Sequence, residues 1–97
     1  MTFTLKDIFK HISKTLREAK FESSNIEANI MLSHSLNLSI EKIFMNQNKK
    51  IYKKTATKIL KFLDRRLNGE PLSYIVGYKY FFLIKFEIDK SVLVPRP

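Results

Sequence analysis

The side chains best suited to chemistry lie close together in the stretch RRLNGEPLSYIVG, residues 65–77. Arg66, Glu70 and Tyr74 supply a guanidinium, a carboxylate and a phenol, which can bind a partner through ion pairs and hydrogen bonds. They can also serve the fold alone, because Glu70 is able to pair with Arg66 across a bend, a contact worth under ~1 kcal/mol if exposed. The sequence favours neither interpretation over the other.

The remaining reactive side chains do not predict an active site. His11 and His34 lie alone on separate predicted helices, and the acidic residues form no recognisable metal-binding pattern. The chain has two glycines, Gly69 and Gly77, whereas a nucleotide-type cofactor loop needs several that let backbone amides approach the ligand. We therefore predict no catalytic, cofactor-binding or metal-binding residue in this chain.

The composition predicts a small folded protein. Its 97 residues are 44% hydrophobic and 28% charged, which suits a single domain with a packed core. No apolar run approaches the ~20 residues of a membrane span, and the first residues lack the unbroken apolar core of a signal peptide. There is no cysteine and hence no disulfide framework, so we expect a cytoplasmic protein without a membrane partner.

Positive charge is concentrated in the second half of the chain. The net charge is +9, and residues 49–97 carry twelve Lys and Arg against four Asp and Glu, a difference of eight. Such an asymmetry is typical of a region that meets an anionic partner. Because lysine is frequent throughout the chain, a solvated face that binds nothing is the simpler interpretation.

The first helix is predicted from Leu5 to about Ala19. Thr4 and Asp7 have the spacing of a capping box, in which each side chain accepts a hydrogen bond from the other residue's backbone N–H. Apolar residues recur at helical spacing and predict one buried stripe, formed by Leu5, Ile8, Phe9, Ile12 and Leu16.

Two further helices should follow before residue 46. Ser24 and Glu27 again have the spacing of a capping box, and the second helix should stop near Asn37. Ser39 can cap a short third helix, and the polar residues 46–50 predict a loop. Near the inner face of the second helix we expect Ile26, Ile30, Met31 and His34. The short third helix holds Ile40, Ile43 and Phe44.

The clearest helical pattern covers residues 50–67. At about 100° per residue, its apolar side chains fall within one narrow arc. They are Tyr52, Ala56, Ile59, Leu60, Leu63 and Leu67. A set of basic side chains gathers on the opposite side, namely Lys50, Lys54, Lys58, Lys61 and Arg65. This helix should bury one face and present a basic face to water.

The chain should stop and restart after this helix. Gly69 suits the position just past a helix end, and Pro71 pushes Glu70 out of helical geometry while suiting the first residue of a new short helix. Apolar residues of that helix, namely Leu72, Ile75 and Val76, can pack back on the bundle before Gly77 ends it.

From Tyr78 the sequence is rich in aromatic and β-branched residues, which predicts short strands. Turns are expected near Leu83-Ile84 and at Asp89-Lys90-Ser91, although the first lacks the glycine or asparagine of a tight hairpin. The predicted fold is therefore mainly α, with four to five helices followed by a C-terminal β-hairpin-like extension. Residues 1–76 form the helical bundle, and residues 77–97 form the hairpin or linker.

Two motifs carry a resemblance to a known family. The stretch RRLNGEPLSYIVG and the final VLVPRP resemble the N-terminal region of the HemK or PrmC family of protein-glutamine methyltransferases, which modify peptide chain release factors. The family pattern is Arg-Arg, two residues, Gly-Glu-Pro-Leu-Ala-Tyr-Ile, one residue and Gly, and here Ser73 replaces the alanine. Two departures fall in the predicted hairpin, where Tyr80-Phe81 replaces Glu-Phe and Leu83 stands at the family's turn glycine.

The resemblance implies a division of labour between two domains. In the family, a Rossmann-like domain binds S-adenosyl-L-methionine and methylates the glutamine amide of the release factor's Gly-Gly-Gln motif, while a small helical bundle holds the substrate. This chain lacks the family's Asn-Pro-Pro-Tyr motif, so we expect no catalytic domain and no methyl transfer by these residues alone. The residues expected to contact the release factor are Arg66, Glu70, Tyr74, Lys54, Lys58, Lys61 and Arg96.

Two other functions are compatible with the sequence. The pI near 9.9 and the lysine-rich fourth helix also suit a module that binds RNA or the ribosome, although no groove-reading motif is recognisable. A truncated remnant without an independent function is the third interpretation. Binding of RNA at two salt concentrations would distinguish the first alternative from a protein-binding lobe.

Overall fold

The computed structural model describes residues 3–93, with the side chains of residue 85 and of residues 87–93 outside the description. The predicted mainly helical fold is confirmed. The elements in chain order are β1 (Phe3–Thr4), α1 (Leu5–Glu18), α2 (Ser24–Leu36), α3 (Ile40–Met45), β2 (Lys50–Ile51), α4 (Lys53–Leu67), α5 (Leu72–Val76) and α6 (Tyr78–Leu93).

Most of the predicted helix ends are confirmed. The Thr4 N–H donates to Asp7 Oδ2 over 3.1 Å and the Asp7 N–H donates to Thr4 Oγ1 over 3.2 Å, which completes the capping box of α1. Ser39 accepts a hydrogen bond from the Lys42 N–H at the start of α3. Asn37 ends α2 with a φ of 55°, in the left-handed region that asparagine tolerates.

The predicted cap at Ser24 is wrong. Ser23 occupies the N-cap position of α2 and makes no capping hydrogen bond, while Ser24 is buried in the first turn. The Glu27 carboxylate does not fold back to the helix start because it pairs with Arg66 of α4. A contact between two helices has replaced the local one.

Strands β1 and β2 form a two-residue antiparallel sheet, which includes residue 50 of the predicted loop. Phe3 is paired with Ile51 and Thr4 with Lys50, and the Leu5 N–H donates to the Lys49 carbonyl over 2.8 Å. Residue 50 therefore has extended backbone, and α4 begins at Lys53 rather than at the predicted residue 50.

The core lies between α1, α2 and α4, with α2 in contact with both of the others. The predicted stripe of α1 is confirmed, since four of its five residues are buried and Phe9 packs at the edge of the core. On α2 the prediction was too narrow because this helix is covered on several sides. Its buried apolar residues are Ala28, Ile30, Met31 and Leu32, while Ile26 is exposed.

The buried face of α4 is narrower than predicted. Ala56, Ile59 and Leu63 are buried, whereas Tyr52 is 78% exposed and precedes the helix. Leu60 and Leu67 are also exposed, although α4 packs on α2, α1 and α5.

The predicted kink after α4 is confirmed. Gly69 has a φ of 96° and Gly77 a φ of 92°, so both adopt conformations that side-chain-bearing residues rarely reach. Between them, α5 buries all three of its predicted apolar residues. Pro71 is the N-cap of α5 rather than its first residue, with an extended ψ of 140°.

Substitution of Gly69 by alanine is expected to lower the free energy of unfolding by about 1–2 kcal/mol, because alanine is strained at positive φ. No atom lies within 4 Å of the added Cβ, so the loss would come from backbone strain and not from a clash. Urea unfolding measures it, with Asn68→Ala as the control, since the exposed Asn68 has an ordinary φ of −80°. Equal effects of the two changes would contradict the expectation.

The predicted hairpin after Gly77 is wrong for the described residues, because residues 78–93 form the helix α6. An isolated two-stranded hairpin is marginal in water, and Leu83 stands where a tight turn needs glycine or asparagine. A helix satisfies its own backbone hydrogen bonds and places Tyr80, Phe81 and Ile84 against the core. Residues 94–97, including the predicted strand residue Val94, lie outside the described residues.

Candidate functional site

Arg66 lies at the centre of the contacts around the kink. Its Nε donates to Glu27 Oε1 over 2.7 Å and its Nη2 donates to Glu27 Oε2 over 3.3 Å, in a fork-like pair. Its Nη1 donates to the Glu70 carbonyl oxygen over 3.2 Å. The guanidinium also lies 4.4 Å from the centroid of the Phe21 ring. We call Arg66 with Glu27 and Phe21 the Arg66 clamp.

The predicted pairing of the Glu70 side chain with Arg66 is wrong. The Glu70 carboxylate accepts from the neighbouring Arg65 instead, and only its backbone carbonyl reaches Arg66. The Arg65 side chain is 45% exposed and that of Arg66 is 19% exposed. The two adjacent arginines therefore have different surroundings, one at the surface and the other between helices.

Tyr74 begins a row of exposed aromatic rings, formed by Tyr74 of α5 with Tyr78 and Phe82 of α6, which we call the aromatic ladder. The centroids of Tyr74 and Tyr78 are 5.3 Å apart, and those of Tyr78 and Phe82 are 6.1 Å apart. More than half of each side chain faces solvent. A hydrogen bond with Tyr78, followed by the charge of that neighbour, raises the pKa of Tyr74.

The predicted basic side chains of α4 lie along one exposed edge of that helix. Lys54, Lys58, Lys61 and Arg65 fall within an arc of about 60° at 100° per residue, and all four are exposed. We call these four residues the basic ridge. Lys50 lies in β2 and is outside it.

The basic ridge and the aromatic ladder meet at Arg65. A depression of ≈ 440 Å³ is lined by Arg65 and Glu70 on one side and by Tyr74 and Tyr78 on the other. Along the rest of the ridge, a second depression is lined by Lys54, Lys58 and Lys61, by neighbouring residues of α4 and by Ser35 of α2. Charge and apolar surface are therefore continuous along this side of the bundle.

His34 lies where α2, α4 and α6 meet. Its ring centroid is 5.7 Å from that of Phe62 and 4.9 Å from that of Tyr80, and the Tyr80 hydroxyl hydrogen-bonds the adjacent Ser33. Burial lowers the pKa of His34, and repulsion from Lys58 lowers it further. This histidine is a packing residue beneath α6.

Acidification is expected to weaken the fold through His34. Below its ordinary pKa of 6.5 the unfolded chain binds a proton that the folded chain resists. The stability is therefore complete above that pH and is lost as the pH falls toward the lower folded pKa. Melting temperatures at about pH 7.5 and about pH 5 should differ more for the wild type than for His34→Gln. His11→Gln serves as the control, because His11 is exposed on α1. If this substitution reduced the difference between the two melting temperatures as much as His34→Gln does, the assignment to His34 would be contradicted.

Among the side chains that the structure describes, no group of three or more His, Asp or Glu is placed to hold a metal ion. The described residues also do not fit S-adenosyl-L-methionine. Gly69 and Gly77 each end a helix, and the strands β1 and β2 have two residues each, so the described part of the chain contains no glycine-rich turn from a strand into a helix. In the same range, no helix combines the length and the apolarity needed to cross a bilayer.

Of the seven residues expected to contact a partner, Lys54, Lys58 and Lys61 lie on the basic ridge, and Glu70 and Tyr74 line the depression beside Arg65. Arg66 lies apart from them, between helices in the clamp. The seventh, Arg96, lies outside the described residues. Sequence patterns did not indicate Glu27 and Phe21, the partners of Arg66, because these residues lie far from it along the chain. They did not indicate the aromatic ladder either, because its four-residue spacing is a signal only when the segment is a helix.

The described residues form a small helical bundle with exposed charged and aromatic side chains on one side, and comparison with known proteins gives its family. A family model described as the PrmC N-terminal domain matches residues 7–77. The chain belongs to this family, as the resemblance predicted. No solved structure gave a significant match to the chain.

Three relatives of the chain are named as methyltransferases. It is 33% identical over 96 residues to a bifunctional methyltransferase of Rickettsia felis, covering 99% of this chain and 18% of that protein. It is 38% identical over 76 residues to the release factor glutamine methyltransferase of Haemophilus influenzae, covering 78% and 26%. For the enzyme of the same name in Nitratidesulfovibrio vulgaris, the identity is 33% over 94 residues, covering 97% and 32%. The chain thus spans a third or less of these relatives.

Proposed function

We propose that this chain is the substrate-recognition lobe of an S-adenosyl-L-methionine-dependent methyltransferase. The enzyme would methylate N5 of the glutamine in the Gly-Gly-Gln motif of peptide chain release factors, in the cytoplasm. The match of residues 7–77 to the family, together with relatives named release factor glutamine methyltransferase, carries the proposal. In this role the chain binds the release factor and contributes no reacting group.

The charges of the bundle support a binding role. The basic ridge has four exposed cations along one edge of α4, and its last member borders the aromatic ladder. Such a ridge attracts a protein with acidic surface, accelerates its approach and orients it. Added salt should weaken this attraction, because the Debye length falls below about 10 Å above 0.1 M.

Methyl transfer belongs to a separate catalytic domain in this proposal. The described residues do not fit the cofactor, so no step of the chemistry is assigned to them. The purified chain alone should yield no methylated release factor when the cofactor is supplied. Turnover above background would overturn this division of labour.

The proposal is tested by titrating the fluorescently labelled chain with a purified release factor at about 50 mM and about 300 mM salt. We expect saturable binding that is at least several-fold weaker at the higher salt. No binding at either salt would contradict the proposed function. The same titration with single-stranded RNA separates the alternative, because tighter binding to RNA than to the release factor would favour an RNA-binding module.

A further inference from the structure

The aromatic ladder leaves large apolar side chains exposed to solvent. The exposed fractions are 59% for Tyr74, 53% for Tyr78 and 59% for Phe82, and the next turn of α6 adds Phe86 at 66%. Large apolar side chains gathered on one side of a soluble domain usually mark a binding surface. Tyrosine is also among the residue types that contribute most to binding when an interface covers them.

The rings of the ladder are held in place by neighbouring aromatic rings. Phe81 packs against the core, and its ring centroid is 5.6 Å from that of Phe82. Tyr78 contacts both of the other rings of the ladder. Because each ring is restrained by a neighbour, a partner that covers the ladder would immobilise few freely rotating side chains.

Charge indicates which kind of partner fits. Arg65 joins the ladder to the basic ridge, and the nearby Glu70 carboxylate is already paired with Arg65. The exposed Lys79 follows Tyr78 on α6. A partner with an apolar side chain surrounded by carboxylates would match this arrangement. A second copy of the chain would instead bring two basic ridges together, and each copy carries a net charge of +9.

We propose that the aromatic ladder is the apolar centre of the surface that binds the release factor, and that it receives an apolar side chain from an acidic face of that protein. This inference rests on the proposed function and adds the position of the contact. The basic ridge guides the approach, whereas the ladder holds the bound protein. Loss of the ladder should therefore act on the dissociation rate.

The test is the affinity of the release factor for Tyr78→Ala/Phe82→Ala, measured beside the wild type at one salt concentration. We expect at least a ten-fold loss of affinity, mainly through faster dissociation. Tyr78→Phe/Phe82→Tyr keeps both rings and should retain most of the binding. Phe44→Ala is the matched control, since Phe44 is 58% exposed on α3, away from the ladder. Circular dichroism and melting temperature check that every variant is folded.

The outcomes separate this inference from the function on which it rests. Absence of wild-type binding overturns both. Normal wild-type binding with an unchanged affinity of the double alanine variant overturns the ladder alone, as does an equal loss with Phe44→Ala. Sedimentation tests for self-association. If the wild-type chain is a dimer and the double alanine variant is a monomer, the ladder is a self-association surface and the inference is overturned.

Discussion

Replacement of Arg66 by alanine is expected to lower the free energy of unfolding by about 3 kcal/mol, a large fraction of the stability of a small domain. The Glu27 side chain is only 13% exposed, so the change would leave its carboxylate largely buried without its cation. It would also remove the donor to the Glu70 carbonyl and the cation above Phe21. The clamp joins α2, α4 and the kink, so its loss should destabilise the packing of these elements together.

The neighbouring arginine supplies the control. Arg65→Ala removes an exposed ion pair with Glu70 and should cost less than about 1 kcal/mol. Chemical denaturation of both variants measures the difference. Arg66→Lys is informative as well, because lysine keeps the charge but cannot form the forked pair, and it should recover only part of the loss. Equal destabilisation by the two alanine variants would show that the clamp has no special role.

Reversal of three charges on the basic ridge, in Lys54→Glu/Lys58→Glu/Lys61→Glu, is expected to slow association with the release factor by about 10- to 100-fold at low salt. The cause is long-range attraction, so the effect should shrink as salt is added. Stopped-flow mixing of the chain with labelled release factor gives the association rate directly. The dissociation rate should change much less.

The charge control lies on α1. Lys10→Glu/Lys14→Glu/Arg17→Glu alters the net charge by the same amount at three exposed positions of another helix. If attraction depended only on total charge, both triple variants would slow association equally. A specific role for the basic ridge predicts a clearly smaller effect from the change on α1.

The features predicted correctly from the sequence are mainly local ones. The capping box of Thr4 and Asp7, the cap at Ser39 and the kink at Gly69 each depend on residues within a few positions of one another. Their backbone requirements are specific enough that residue type alone indicates them. The positions of Lys54, Lys58 and Lys61 along one edge of α4 followed equally from helical periodicity.

The features that were missed depend on residues far apart in the chain. The spacing of Glu27 from Ser24 predicts a capping box, but Glu27 pairs with Arg66, 39 residues away. The pairing of β1 with β2 likewise joins the beginning of the chain to residues 50–51, at the boundary between the predicted loop and the predicted helix. Single-sequence patterns contain no direct information on such pairs.

The segment after Gly77 shows a conflict between local preference and packing. Its aromatic and β-branched residues favour strands. The spacing of Tyr80, Phe81 and Ile84 nevertheless gives a helix one face that packs on the core, without any requirement for a strand partner. Because the segment was predicted to form strands, the aromatic ladder was not predicted. Tyr78 and Phe82 stack only when a helix places them one turn apart.

The central claim, that this bundle holds the release factor through one side, is tested most directly by amide hydrogen exchange of the chain with and without that protein. We predict slower exchange in α4, in α5 and at the start of α6 when the release factor is bound, with α1 unchanged. Protection confined to α1, or no protection at saturating release factor, would contradict the claim.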